Sequence, residues 1–204
     1  MPVKHKRKRN RLINFDYSNN GLYFVTICID KRECLFGGVY NDFMCVNKVG
    51  SIVYRQWQWL FEQYKYIKNH GFIVMPNHVH GIVEIDREMV EDESDKNIIG
   101  GLDDMLDNHG RDRSRPVPTD VAENSNIQNQ NNTNNNKTKI KSISELIGAF
   151  KTTSSKIIHQ ECLPRFVWQR SFHDHIIRNE KEYNKIYKYV QMNPILWNRD
   201  RNNV

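Results

Sequence analysis

The chain has 204 residues, 38% of them hydrophobic and 26% charged, with a mean hydropathy of −0.74. That is enough for one domain of moderate size with its own core. The four cysteines, Cys28, Cys34, Cys45 and Cys162, are scattered, which excludes a disulfide framework or a paired-cysteine metal knuckle and fits a reducing cytoplasm. No apolar run approaches the roughly 20 residues of a membrane span, and no signal-peptide core follows the N-terminus, so a cytoplasmic protein with no membrane partner is expected.

The formal net charge of +6 is unevenly spread. Residues 1–11 (MPVKHKRKRNR) hold six Lys or Arg and no acid, whereas residues 86–123 hold twelve acids and five bases. A basic body with a basic arm is partly masked by one acidic segment. Such a distribution suits either a polyanion partner, through phosphate contacts that release counterions, or a solvated solubilising surface.

In chain order, an Asn-Asn-Gly turn signal precedes GLYFVTICID, whose aromatic and β-branched residues predict a buried strand. Residues 49–67 place Ile52, Val53, Gln56, Trp57, Leu60, Phe61 and Tyr64 at helical spacing, and GFIVM follows as a strand. Pro76 and Asn77 supply turn chemistry, and HVHGIVEI returns as the second arm of a hairpin. Residues 124–136 contain eight asparagines, and with the acidic segment they predict a disordered insertion at about 87–139. Order resumes at 142, where Ser142 and Glu145 form a capping-box pattern, with Ile143, Leu146, Ile147, Phe150 and Ile157 on one face and Lys151 and Lys156 turned away. FVWQRSFHDHIIR reads as a strand, and NEKEYNKIYKYVQMNP as a helix ending near Asn193, since Pro194 disfavours helical geometry before it. The order predicts an α+β fold: an antiparallel sheet covered by helices, close to a ferredoxin-like arrangement.

The stretch MPNHVHGIV carries the chemistry. Strand alternation puts His78 and His80 on one face and Val79, Val83 and Ile85 on the other. A metal pair, an acid or base with a helper, and two hydrogen-bonded structural histidines all remain open. Two imidazoles leave a cation undersaturated, and the last helix offers a third ligand. There Tyr183, Ile186, Tyr187 and Val190 form a buried stripe, while Tyr189 and Asn193, four residues apart, stand to one side. A phenol near metal ligands suits covalent chemistry at a phosphodiester; a plain exposed helix tyrosine is the alternative.

With DYSNNGLYFVTICIDKR, VMPNHVHGIVEI, WQRSFHDHIIRNEKEY and YVQMNP in that order, residues 12–197 outside the insertion resemble the single-tyrosine HUH transposases, in particular the REP-associated tyrosine transposase branch. The resemblance implies an HUH nuclease fold, ferredoxin-like or RRM-like, forming a single catalytic domain over 12–197. It implies His78, His80 and Asn193 as ligands of Mg²⁺ or Mn²⁺ and Tyr189 as nucleophile. Asparagine at 193, where many insertion-sequence relatives have glutamine, favours the REP-associated branch. The implied activity is nicking and strand transfer on single-stranded DNA bearing hairpins or palindromic repeats, leaving a 5′-phosphotyrosine and a free 3′-hydroxyl.

Candidate DNA contacts are Lys4, Lys6, Arg7, Lys8, Arg9 and Arg11 in the arm, Lys151, Lys156 and Arg170, and Trp168 by base stacking, with Phe172 and Trp57 as further aromatics and Trp57 better placed in the core. His175 matches a recurrent family position without a derivable role. Little chain follows Pro194, so no longer C-terminal contribution to DNA binding is expected. Monomer and homodimer stay open, as do a replication initiator or relaxase of the same chemistry and a catalytically silent nucleic-acid-binding module.

Overall fold

The computed structural model of the protein describes residues 12, 15–90 and 139–203. Every element named here lies in the compact unit Met1–Val90 with Ile140–Val204. The basic arm and most of the expected insertion fall outside the described residues. Of the insertion's edges, Arg87 donates its backbone N–H to Asn20 Oδ1 at 2.9 Å.

The elements run β1 (Gly21–Cys28), β2 (Gly37–Tyr40), β3 (Phe43–Val46), α1 (Lys48–Gln63), β4 (Ile67–Val74), β5 (His78–Ile85), α2 (Ile143–Glu161), β6 (His173–Ile177) and α3 (Glu180–Met192). β4, β5, β1 and β6 form a four-stranded sheet in that order, each neighbour antiparallel. With the separate β2–β3 hairpin set aside, this is the ferredoxin-like α+β arrangement expected.

Local chemistry sets the boundaries. Asn47 caps α1 through Gly50 N–H, and Ser142 and Glu145 close the reciprocal capping box at α2. α1 buries Ile52, Val53, Trp57 and Leu60, and α2 buries Ile143, Leu146, Ile147, Phe150 and Ile158. They pack with Tyr23, Val25 and Ile27 of β1 and Val79, Val83 and Ile85 of β5 into the main core. The opposite sheet face holds a much smaller apolar cluster, Ile82, Ile177 and Val190, against α3. The histidine strand is thus buried on both faces, one supplying core and the other the site.

Several expectations need correction. The β2–β3 hairpin was not anticipated; its turn residues Asn41 and Asp42 take positive φ of 48° and 66°, as the primed hairpin turns require. The expected strand over 166–178 pairs only at His173–Ile177, with an isolated bridge joining Trp168 to Ile29. On α2 it is Ile158, not Ile157, that is fully buried. On α3, Tyr187 is exposed rather than part of a buried stripe, because Val190 alone on that helix is fully covered. Trp168, a candidate for base stacking, is a core residue only 6% exposed, packed on Phe36, Phe150 and Phe166. Its indole N–H donates to Ser154 Oγ at 3.1 Å, so neither ring face is free for a base. No helix among the described residues is long and apolar enough to cross a membrane.

Candidate active site and metal centre

β5 and α3 bring the expected site residues together. His78 and His80 share the sheet face under α3, and both are buried. Their Nε2 atoms lie 3.0 Å apart. His80 Nδ1 is 2.9 Å from Thr26 Oγ1 on the neighbouring strand, and Phe24 stacks on its ring. His78 Nδ1 is 2.8 Å from Asn77 Oδ1. The Tyr189 hydroxyl reaches to 3.3 Å from His80 Nε2, although 109 residues separate the two in sequence.

Two further groups close the site. Asn193, at the C-cap of α3, is buried and donates from Nδ2 to Asp200 Oδ2 at 3.2 Å. Asp200 follows the short 3₁₀ turn Trp197–Arg199, and its side chain is almost fully buried, with Oδ2 3.9 Å from His78 Nε2. His78, His80 and Asp200 offer ligand atoms within 4.8 Å of one another. Asp200 was not foreseen, and the one signal available was that it is the sole acid after Glu182. Trp197 stacks on the His78 ring, centroids 6.0 Å apart.

Burial governs the protonation states. It pushes the His78 imidazole down to about 4 and that of His80 well below the usual value, so both are neutral at pH 7 with lone pairs to share. Burial, and after it the Asp200 charge, raises the Tyr189 phenol above its usual value near 10. The hydroxyl therefore holds its proton at neutral pH and needs help to become a nucleophile.

These residues fit a divalent cation. Asn193 Oδ1 is buried with no hydrogen-bond partner, an acceptor that a cation would satisfy. The two Nε2 atoms lie side by side, 3.0 Å apart. Two imidazoles with a carboxylate and an amide oxygen form a mixed nitrogen and oxygen set suited to a first-row or hard divalent ion.

No protein-family model matches the chain. An uncharacterized protein of Haemophilus influenzae is 31% identical over 197 residues, covering 97% of this chain and 93% of the relative. The chain belongs to that protein's family. Among solved structures, a REP-associated tyrosine transposase bound to a REP hairpin matches the family fold seen here with a TM-score of 0.51, at 14% identity, over 93% of this chain and 73% of that one. A protein of Deinococcus radiodurans matches with a TM-score of 0.41 at 12% identity, over 91% and 95% of the two chains. The family member described here therefore has the antiparallel α+β fold of the hairpin-bound transposase.

The remaining expected contacts fare differently. Lys4, Lys6, Arg7, Lys8, Arg9 and Arg11 lie outside the described residues. Lys156 and Arg170 are exposed. The Lys151 ammonium donates to the carbonyls of Gln169, Arg170 and Ser171 at 2.7, 3.5 and 3.4 Å, so it ties the 169–171 segment to α2. Trp57 is core, stacked on Phe72 at 4.4 Å. His175 pairs with Glu182 at 2.7 Å, which ties β6 to the first turn of α3, the helix that carries Tyr189.

Proposed function

We propose that the protein is a transposase that nicks and rejoins single-stranded DNA at hairpins or palindromic repeats through a Tyr189 phosphotyrosine. The observation that carries this is the Tyr189 hydroxyl 3.3 Å from His80 Nε2, inside a cluster with His78, Asn193 and Asp200. The fold likeness to a hairpin-bound transposase supports a DNA partner of this kind, and a basic chain of net charge +6 suits it. The catalytic domain spans 12–197 together with the segment bearing Asp200, and the protein acts in the cytoplasm on the nucleoid.

His78, His80 and Asn193, with Asp200 beside them, would hold a Mg²⁺ or Mn²⁺ ion. When bound, that ion supplies charge to polarise the scissile phosphate. Tyr189 Oη forms the new bond to phosphorus as the bond to the 3′ oxygen breaks, and the phenolic proton ends on that leaving oxygen. The phosphodiester energy is kept in the 5′-phosphotyrosine, so a free 3′-hydroxyl can later attack it and release the tyrosine without a nucleotide cofactor.

Incubating the protein with hairpin-bearing single-stranded oligonucleotides and Mn²⁺ or Mg²⁺ is expected to give a covalent adduct that survives denaturing electrophoresis. Tyr189→Phe is expected to give none. An adduct of equal yield from the Phe variant would remove Tyr189 from the role, and metal-independent binding without any adduct from the wild type would favour the silent nucleic-acid-binding module.

A further inference from the structure

Asn77, in the turn between β4 and β5, is fully buried, and its side chain has partners on both sides. Nδ2 donates to Arg32 O at 3.0 Å and to Asn202 O at 2.7 Å. Both are carbonyls, which accept only, so the amide cannot be reversed: its NH₂ faces them and Oδ1 faces His78 Nδ1 at 2.8 Å. Oδ1 accepts only, so the hydrogen bond exists when His78 carries its proton on Nδ1. The Nε2 lone pair is then left aimed at His80 and Asp200.

The same amide holds the last part of the described chain. Asn202 is buried, and its backbone N–H donates to Asp200 Oδ1 at 2.7 Å. Arg32 adds a second tether, Nη1 to Arg201 O at 2.9 Å. One side chain therefore links the Asp30–Arg32 turn after β1, the segment bearing Asp200 and the first histidine of β5.

We propose that Asn77 is the positioning residue of this centre: it fixes His78 as the Nδ1–H tautomer and anchors the Asn202 segment that sets the Asp200 carboxylate beside the histidines. The role rests on the metal-dependent reading above, but its first half is visible without metal. Partners of this kind behind a ligating imidazole typically contribute 10- to 100-fold in metal affinity. Asp is the informative replacement, because it keeps an acceptor for His78 Nδ1–H and removes both donors to Arg32 O and Asn202 O.

The test uses the full chain with ¹⁵N-labelled histidine at pH 7. In metal-free wild type, long-range ¹H–¹⁵N correlations are expected to show His78 protonated at Nδ1; protonation at Nε2 overturns the proposal without any variant being made. Asn77→Asp is expected to keep that tautomer, and Asn77→Ala to lose it. Mn²⁺ titration followed by electron paramagnetic resonance is expected to show Asn77→Ala binding 10- to 100-fold more weakly than wild type. Asn77→Asp is expected to bind more weakly than wild type, and adding Asp200→Asn to it should cost less than Asp200→Asn costs alone. Folded variants, judged by circular dichroism, with wild-type tautomer and Mn²⁺ affinity within twofold overturn it. If wild type and His78→Ala bind Mn²⁺ alike, the metal reading of the site fails, and the tautomer spectra alone then decide the role of Asn77.

Discussion

Two tyrosines show how surroundings decide what a phenol can do. Tyr23 lies in the main core with no exposure and donates its hydroxyl to Asn19 O at 2.9 Å. Burial pushes its phenol up to about 12, whereas the unfolded chain releases the proton near 10. The folded state thus keeps a proton that the unfolded state gives up, so this contribution is whole below pH 10 and is lost as pH rises toward 12. Denaturant unfolding across that range is expected to cost wild type on the order of 2 kcal/mol more than Tyr23→Phe; equal pH slopes would contradict it. Tyr189, 37% exposed, keeps a path to solvent. Its place at the site was legible in the sequence, because it falls off the packed stripe of its helix. Asp200 was not legible: an irregular segment has no periodicity to show where a carboxylate points. Asn77 was legible only as a turn former, since its partners Arg32 and Asn202 lie far from it along the chain.

At the scale of elements, β5 explains its own composition. Gly81 stands between the site and the main core, where the Trp57 indole lies against the strand; a Cβ at 81 would clash with the Trp57 ring. The strand can carry no larger residue there without moving a ring that is itself stacked on Phe72 and edge-on to Phe150. Gly81→Ala is expected to destabilise the protein by about 1–3 kcal/mol, the usual cost of overpacking, as measured by urea unfolding. A change below about 0.5 kcal/mol would mean that the indole gives way freely. The two long helices and the β4–β5 hairpin were legible because each is long enough to repeat its pattern and carries its own cap or turn. The β2–β3 hairpin has four-residue strands, too short for alternation to register, and β6 was overestimated because Phe166 and Trp168 are apolar for reasons of core packing, not pairing.

At the scale of the molecule, the sheet divides labour between its faces. The α1 and α2 side holds the large apolar core, and the α3 side holds the site over only a small apolar cluster. The order of elements made this topology legible, since strand, helix, strand, strand, helix, strand closes most simply as one antiparallel sheet. Neither face could be assigned a helix from sequence, because an apolar stripe shows that a helix packs but not on which side of a sheet.

The alternation of β5 should be readable from outside the structure. In a saturation mutagenesis screen scored once for cellular abundance and once for DNA adduct formation, positions 79, 81, 83 and 85 are expected to fail in both scores. Positions 78 and 80 are expected to fail in adduct formation while keeping most of their abundance. The difference between the two scores would then oscillate with a period of two along the strand, a signature that a uniformly structural strand would lack.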